Sequence, residues 1–322
     1  MTLTFSRRSM LAGFAASGAL IMNDAALAAR RRQTFFQRTG LPVGLQLYTL
    51  GDEAGQDLDR TFAEVATIGY RDIEMPQLYG KSGAEVGAAA RRAGLAISSL
   101  HLPFAATSRG AALTMESSPQ QIADALGGLG ATCAVAPIMP FPAGMKFNSG
   151  ESFQATIARA IAAEGEDLWK RTAALLNACA GAMKPLGIEI GYHNHNLEFA
   201  PVGKSTGWDV LLAECDPALV KFEVDTGWVA TAGLDPLAFL RRMRGRVRWM
   251  HVKDVAPGNA VNFALSMKPA EVGSGTLDWA RVLPAAHRAG VRHFYVEQEP
   301  PFAIPRIEAA RKSYGFLAGL HA

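Results

Sequence analysis

The chain has 322 residues, of which 49% are hydrophobic and 19% charged, and its formal net charge at pH 7 is +3. This length suits one large domain, since barrels of about 250 residues commonly form a single domain. The near-neutral charge gives no electrostatic case for binding nucleic acid, for which a basic stripe is expected. Cys133, Cys179 and Cys215 are odd in number and far apart, so no disulfide framework is predicted.

The first 28 residues are typical of a twin-arginine export signal. Ser6-Arg7-Arg8-Ser9 precedes an apolar stretch at residues 11–22, and Ala26-Leu27-Ala28 resembles a small-residue cleavage site. A membrane anchor is the alternative, but about twelve apolar residues are too few to span a bilayer. Cleavage would remove two arginines and one aspartate, which changes the net charge from +3 to +2. We therefore expect a periplasmic mature protein without a membrane anchor.

From residue 40 to residue 322, predicted strands alternate with segments that carry helix signals. Ser118-Pro119-Gln120-Gln121, for example, combines an N-cap, a proline at the first helical position and a capping-box glutamine. Eight strands alternating with helices predict a parallel sheet, and eight strands close a barrel. We predict a single (β/α)8 TIM barrel over residues 40–322. Its strands are expected at residues 43–50, 70–75, 95–102, 133–139, 188–193, 220–225, 247–252 and 291–297.

A doubly wound open sheet is the rival architecture. It would carry Gly-x-Gly-x-x-Gly after the first strand, and the sequence has no such motif there. Gly273-Ser274-Gly275 comes too late and is too short for a dinucleotide-binding loop. The barrel is therefore favoured over a nucleotide-binding fold.

The last four predicted strands each end in a side chain that can bind a metal. These residues are His193, Asp225, His251 and Glu297. Parallel neighbouring strands bring their carboxyl ends to the same face of a barrel. Two imidazoles and two carboxylates that meet there would bind a divalent metal.

Each of these residues also has a purely structural interpretation. A single histidine at a strand end is more often a hydrogen-bonded core residue, but four of the seven histidines lie at predicted strand ends, including His101 and His195. Asp225 could cap the next helix, yet a carboxylate that ends an apolar strand is costly to bury without a cation or donor. Lys253 lies two residues after His251, on the same strand face, and could polarise a substrate oxygen.

The chain resembles the xylose isomerase-like sugar phosphate isomerase/epimerase family from residue 44 to residue 298. The most specific segments are Tyr192-His193-Asn194-His195-Asn196-Leu197-Glu198-Phe199, Asp225 with Trp228, His251-Val252-Lys253-Asp254, and Val296-Glu297. Members of this family are TIM barrels with a divalent metal. The resemblance is specific for the family and weak for the substrate.

The resemblance implies a set of four metal ligands, Glu, Asp, His and Glu, from strands five to eight. Asp225, His251 and Glu297 match the last three. The first departs from the family pattern, because His193 stands where the glutamate is common, and Glu198 nearby is the alternative ligand. Histidine is a softer ligand and removes one negative charge. Manganese, cobalt, zinc or iron is therefore favoured over magnesium.

In epimerases of this family two metal-bound carboxylates act as the acid/base pair. With His193 in place of one carboxylate, we expect Glu297 to be a base, with Glu198 or His195 opposite it and Lys253 beside them. The expected substrate-binding residues are Gln46, Glu74, His101 and Trp228, although each also has a structural alternative.

These features predict a metal-dependent sugar isomerase or epimerase that works through an enediolate-type intermediate. The alternatives are a lyase or dehydratase that acts on keto-sugars or keto-glycosides, and a non-catalytic sugar-binding barrel. The expected partner is a small sugar, free or glycosidic rather than phosphorylated, given the predicted export. The sequence leaves oligomerisation open. Ser274 stands where relatives often carry an acid, which points to a different specificity.

Overall fold

The computed structural model describes residues 33–105, 113–142, 145–146 and 148–322, and the predicted leader lies outside them. Within this part of the chain, eight parallel strands close a barrel in sequential order, with β1 paired to β8, which confirms the predicted (β/α)8 fold. The strands are β1 (Gly44–Gln46), β2 (Asp72–Met75), β3 (Ala96–His101), β4 (Cys133–Ala136), β5 (Glu189–His193), β6 (Val220–Asp225), β7 (Val247–Val252) and β8 (His293–Val296).

Helices cover the outside of the barrel, and the capping box predicted at Ser118 begins one of them. None of the helices among the described residues is long and apolar enough to cross a membrane. The helices are α1 (Phe35–Thr39), α2 (Leu58–Ile68), α3 (Gly83–Arg92), α4 (Pro119–Leu129), α5 (Phe153–Glu164), α6 (Glu166–Met183), α7 (Gly207–Glu214), α8 (Thr226–Thr231), α9 (Pro236–Arg242), α10 (Trp279–Ala289) and α11 (Arg306–Gly319).

The first strand is shorter than predicted. It ends at Gln46, and Leu47–Leu50 forms a 3₁₀ turn instead of continuing the strand. The Gln46 side-chain oxygen accepts a hydrogen bond from the Tyr48 backbone N–H at 3.1 Å, which caps this turn. The turn brings Tyr48 to the pocket at the carboxyl end of the barrel.

A layer of large side chains closes the barrel beneath the strand ends. Trp249 and Tyr295 are buried, and they lie two residues before His251 and Glu297, on the same inner face. Gly191 occupies the matching position on β5. A Cβ atom at Gly191 would lie 2.7 Å from the Trp249 ring, so glycine makes room for the indole.

Gly191→Ala is expected to destabilise the protein by about 1–3 kcal/mol, because the added methyl group overpacks this layer. Gly181→Ala in α6 is the control, since a Cβ there meets no atom within 4 Å. That control should be neutral or stabilising by about 0.5–1 kcal/mol. Urea unfolding of both variants measures the difference. Equal free energies of unfolding for Gly191→Ala and Gly181→Ala would show that the side chains around Trp249 accommodate the added methyl group without loss of stability.

Candidate active site

The carboxyl ends of β5 to β8 bring four potential metal ligands together. His193, Asp225, His251 and Glu297 are all buried, and each offers one ligand atom within 4.8 Å of the others. The parallel register explains the arrangement, because Asp225 pairs directly with His251 across β6 and β7. The structure thus assembles the four residues that the strand-end argument selected.

Asp225 serves two purposes, one with each oxygen. Oδ1 accepts a hydrogen bond from the Trp228 backbone N–H at 2.9 Å and so begins α8. Oδ2 faces the site, 2.8 Å from Lys253 Nζ and 3.6 Å from His251 Nδ1. The helix-capping interpretation and the ligand interpretation are therefore compatible.

The His251 ring connects the site to a second set of buried groups. Its Nδ1 lies 2.6 Å from Glu297 Oε2, and its Nε2 lies 2.7 Å from Glu74 Oε2. A proton on Nε2 that is donated to Glu74 leaves Nδ1 directed at the other three ligand atoms. This carboxylate–imidazole arrangement fixes ring orientation in metal sites generally.

Glu74, His101 and Glu223 form this second set, here called the inner cluster. His101 Nε2 lies 3.3 Å from Glu74 Oε2 and 3.2 Å from Glu223 Oε2. Sequence reasoning missed Glu223, although it lies two residues before Asp225 and therefore on the same strand face. Glu223 also approaches His251 Nε2 at 3.1 Å and His193 Nδ1 at 3.3 Å, so it supports both imidazoles.

Gln46 and Glu74, two of the four expected substrate-binding residues, are fully buried behind His251. Gln46 Nε2 donates to Glu74 Oε2 at 2.9 Å, and Ser99 Oγ donates to Glu74 Oε1 at 2.6 Å. His101 and Trp228, the other two, line the pocket. The burial of Gln46 and Glu74 suits them to orient His251 rather than to touch a ligand in the pocket.

Each of the four residues has one polar atom that the protein satisfies only in part. His193 Nδ1, Asp225 Oδ2, His251 Nδ1 and Glu297 Oε2 are buried and make no hydrogen bond of good geometry with the described residues. Asp225 Oδ2 and Glu297 Oε2 are nevertheless ion-paired with Lys253 Nζ, each at 2.8 Å. Buried polar atoms without partners are rare and costly. A divalent cation could bind all four side chains at once, and two imidazole nitrogens with two carboxylate oxygens suit zinc, manganese, cobalt or iron.

When no metal is bound, protonation of His251 compensates part of the negative charge of the buried carboxylates. Burial by itself lowers the pKa of His251, but the carboxylates of Glu223 and Glu297 raise it well above its ordinary value. The imidazolium then neutralises part of the negative charge. A metal that binds Nδ1 would displace a proton, so we expect affinity for the metal to increase with pH.

Lys253 places a permanent positive charge beside these ligands. Its side chain is only 1% exposed, and Nζ lies 2.8 Å from Asp225, 2.8 Å from Glu297 and 3.1 Å from Glu299. Burial lowers the pKa of Lys253, but the three carboxylates raise it well above its usual value. Gly227 allows this approach, because a Cβ there would lie 2.8 Å from the lysine side chain.

His195 and Glu198 follow β5 but have different environments. His195 lines the pocket, its Nδ1 is buried without a hydrogen bond, and burial together with Lys253 lowers its pKa to about 3. Glu198 accepts hydrogen bonds from Tyr192 Oη at 2.6 Å and from the His195 backbone N–H at 2.9 Å. Among the described residues it is not part of the four-ligand group, and it fixes the loop that carries His195.

The carboxylate of Asp254, which follows Lys253, is engaged in hydrogen bonds with the surrounding protein. Its two oxygens accept hydrogen bonds over 2.8–3.2 Å from one side chain and four backbone N–H groups. This carboxylate therefore organises the loop around Gly273-Ser274-Gly275. The donors are the Trp279 indole and the backbone N–H groups of Val255, Gly273, Gly275 and Leu277.

A pocket of about 810 Å³ opens above the four ligands, and His193 and Glu297 form part of its wall. Tyr48 and Glu299 also line it, and neither was selected from the sequence. Glu299 lies two residues after Glu297, and this spacing in the sequence could have identified it as a pocket residue. Tyr48 had no such signal, because its position depends on the unpredicted 3₁₀ turn. Burial raises the pKa of Glu299 above its usual value.

Comparison with solved structures gives the same fold. A sugar phosphate isomerase/epimerase from Parabacteroides distasonis is 25% identical, with a TM-score of 0.65, over 87% of this chain and 94% of that one.

Two curated relatives carry the name inosose dehydratase. The protein from Lacticaseibacillus casei is 28% identical over 165 residues, which is 47% of this chain and 54% of the relative. The protein from Geobacillus kaustophilus is 26% identical over 207 residues, 64% of each chain. The match thus spans about half the length of the first of these relatives and rather more of the second.

A family model described as xylose isomerase-like TIM barrel matches residues 62–320, which is most of the chain. The matched segment contains the four strand-end residues His193, Asp225, His251 and Glu297. The chain therefore belongs to the xylose isomerase-like TIM barrel family.

Proposed function

We propose that this protein is a metal-dependent dehydratase or lyase that acts on a polyhydroxylated cyclic ketone. The supporting observation is the buried group of four potential metal ligands, His193, Asp225, His251 and Glu297, which lies at the floor of a pocket. A non-catalytic sugar-binding barrel would have no need to bury a lysine among three carboxylates beside that floor. Such arrangements cluster at reactive sites.

His193, Asp225, His251 and Glu297 would hold the metal. A divalent ion at such a site supplies Lewis acidity that polarises a carbonyl group. Lys253 adds a fixed positive charge next to the same position, where it stabilises negative charge that develops on a substrate oxygen. Both effects make the hydrogen on the neighbouring carbon more acidic.

The residues that line the pocket supply the proton transfers. His195 lines the pocket, and burial with Lys253 lowers its pKa, so its ring is neutral at pH 7 and can accept the proton from the carbon next to the carbonyl. The low pKa makes His195 a weak base, so this transfer depends on the acidity that the metal and Lys253 give to that carbon. Glu299, whose pKa is raised, can return a proton to the leaving oxygen, with Tyr48 beside it. One C–H bond and one C–O bond break, a carbon–carbon double bond forms, and water or an alcohol leaves.

Elimination is favoured over epimerisation by the environment of the two carboxylates. In the epimerases that the sequence resembles, two metal-bound carboxylates act as the acid/base pair, one on each side of the substrate carbon. Here Asp225 and Glu297 both contact the Lys253 ammonium at 2.8 Å, and His193 occupies the remaining strand-end position. The sequence alone placed isomerisation first, and the name inosose dehydratase on two relatives adds support for elimination.

Isomerisation is the second candidate, and the similarity to the Parabacteroides distasonis sugar phosphate isomerase/epimerase supports it. Both reactions begin with loss of the proton next to a carbonyl. They differ in the next step. In isomerisation a proton returns to carbon, whereas in elimination an oxygen substituent departs.

NMR spectroscopy in deuterium oxide distinguishes these reactions. We expect the manganese-loaded protein, incubated with an inosose, to produce olefinic carbon signals as water is lost. His195→Gln should slow this reaction by about 100-fold or more, since a positioned base typically contributes 10²–10⁴-fold. Deuterium incorporation with an intact skeleton would instead support isomerisation. The absence of both elimination and deuterium exchange, with every inosose and keto-sugar tried, would contradict both catalytic proposals.

We also propose that the reaction takes place in the periplasm, on the basis of the twin-arginine pattern at residues 1–28. Cell fractionation of the full-length protein tests this. Lysines in place of Arg7 and Arg8 should retain the protein in the cytoplasm. Periplasmic recovery of that double variant would contradict the proposed route.

A further inference from the structure

The pocket has a polar floor and an apolar outer part. The floor contains the four-ligand site with His195, Tyr48 and Glu299. The outer pocket is defined here by partly exposed apolar side chains from loops at the mouth of the barrel: Leu78, Tyr79, Leu113, Ile138, Leu265 and Met267. The pocket is also lined by polar and charged side chains: Asp52, Gln77, Lys81, Gln154 and Ser266. A free cyclitol or monosaccharide carries hydroxyl groups around its whole ring and gains little from the apolar side chains.

The size of the pocket also exceeds what a single sugar ring needs. Its volume of about 810 Å³ lies within the range of roughly 300–1,000 Å³ that is typical of pockets for drug-sized ligands. A sugar ring seated at the floor therefore leaves the outer pocket unfilled. The apolar wall suits a second, hydrophobic part of the same ligand.

Backbone conformation sets two of these side chains apart. In the described part of the chain, Tyr79 and Leu265 are the residues other than glycine with positive φ, and both have φ of 52°. Both belong to the outer pocket, on loops that follow β2 and β7. This conformation is unfavourable for bulky side chains and persists where the surroundings enforce it, often at ligand-binding positions.

Hydrogen bonds hold Leu265 in place from the active site itself. The buried Asn196, next to His195, accepts from the Leu265 backbone N–H at 3.1 Å. Its side-chain nitrogen donates to the backbone and side-chain oxygens of Asn262, each at 2.9 Å. The loop that follows β5 thus positions both a proposed acid/base residue and part of the outer pocket.

We propose that the outer pocket binds an apolar aglycone, and that a keto-glycoside is a better substrate than a free cyclitol. This inference rests on the proposed elimination. With the ketone two carbons from the anomeric carbon, the proton leaves the carbon between them. The glycosidic C–O bond then breaks, a double bond forms, and the aglycone departs as an alcohol with a proton from the enzyme.

Calorimetric titration of the manganese-loaded protein with phenyl and methyl β-D-glucopyranoside tests the outer pocket. Neither glucoside has a ketone, so binding is measured without turnover or leaving-group effects. We expect the phenyl glucoside to bind at least about tenfold more tightly, because its ring is removed from water. Equal affinities, or no binding of the phenyl glucoside, would overturn the proposal.

Leu265→Asn provides the residue-level test, because asparagine tolerates positive φ and the loop should keep its conformation. This variant should lose most of the preference for the phenyl glucoside and bind the methyl glucoside as before. Leu234→Asn, which changes a 40% exposed leucine outside the pocket, is the control and should leave the preference unchanged. An unchanged preference in Leu265→Asn would contradict the assignment of this side chain.

The inosose assay separates this inference from the proposed function. Elimination activity without a preference for phenyl would overturn the aglycone inference alone. A protein that prefers the phenyl glucoside but catalyses neither elimination nor exchange would overturn the proposed function. The keto-glycoside would then also fail as the substrate, but the apolar binding site would stand.

Discussion

Replacing His251 by alanine is expected to abolish stoichiometric metal binding and to lower elimination activity by about a thousandfold or more. The substitution removes one of the four ligands, and it also removes the ring that contacts Glu74, Glu223 and Glu297. Asp225→Asn should give a similar result with a smaller structural change, because the asparagine oxygen can still cap α8. Elemental analysis after gel filtration measures the metal, and the NMR assay measures activity.

His293→Ala is the matched control. His293 lies at the start of β8, at the opposite end of the barrel, and its Nδ1 contacts Asp72 at 2.9 Å. We expect this variant to bind metal and to eliminate water as the unmodified protein does. One equivalent of metal in both His251→Ala and Asp225→Asn would show that the ion binds elsewhere.

Lys253→Met is expected to destabilise the metal-free protein by about 3–5 kcal/mol, the usual cost when one partner of a buried ion pair is removed. Asp225, Glu297 and Glu299 would then share a buried region without their common cation. A divalent metal compensates part of this charge, so manganese should restore much of the lost stability. Activity should remain at least about 100-fold lower, because the charge beside the substrate oxygen is missing.

Urea unfolding with and without manganese measures this effect, with Lys312→Met as the control. Lys312 contacts Glu271 at 3.0 Å, but its side chain is 53% exposed. A surface ion pair of this kind contributes about 1 kcal/mol or less. A Lys253→Met protein that is as stable as the control, or that manganese does not stabilise, would contradict the proposed charge balance.

Strand-end reasoning succeeded where the backbone alone determines position. Parallel strands in a closed barrel bring their carboxyl ends together, so His193, Asp225, His251 and Glu297 were predictable as neighbours without knowledge of side-chain conformation. Glu223 was predictable in principle from the two-residue period of β6. Glu223 lies inside the strand and not at its end, so only its spacing of two residues from Asp225 points to it.

Other parts of the site depend on features that no periodicity reveals. Tyr48 reaches the pocket because the Gln46 side chain caps a 3₁₀ turn, which ends β1 earlier than its apolar run suggests. The burial of Glu74 behind His251 depends on the alignment of strands that are far apart in sequence. The outer pocket is formed by loops, and the conformation of Leu265 depends on hydrogen bonds with Asn196, 69 residues away.

The proposed chemistry requires His193 and His251, with Asp225 and Glu297, to hold one divalent metal. Pulsed electron paramagnetic resonance of the manganese-loaded protein is the sharpest test, because it detects nitrogen atoms bound to the ion. We expect two imidazole nitrogens in the unmodified protein and one in His193→Ala. A single nitrogen in the unmodified protein that is retained in His193→Ala would exclude His193 and favour Glu198 as the ligand from the β5 region. No coupled nitrogen at all would contradict the four-ligand site.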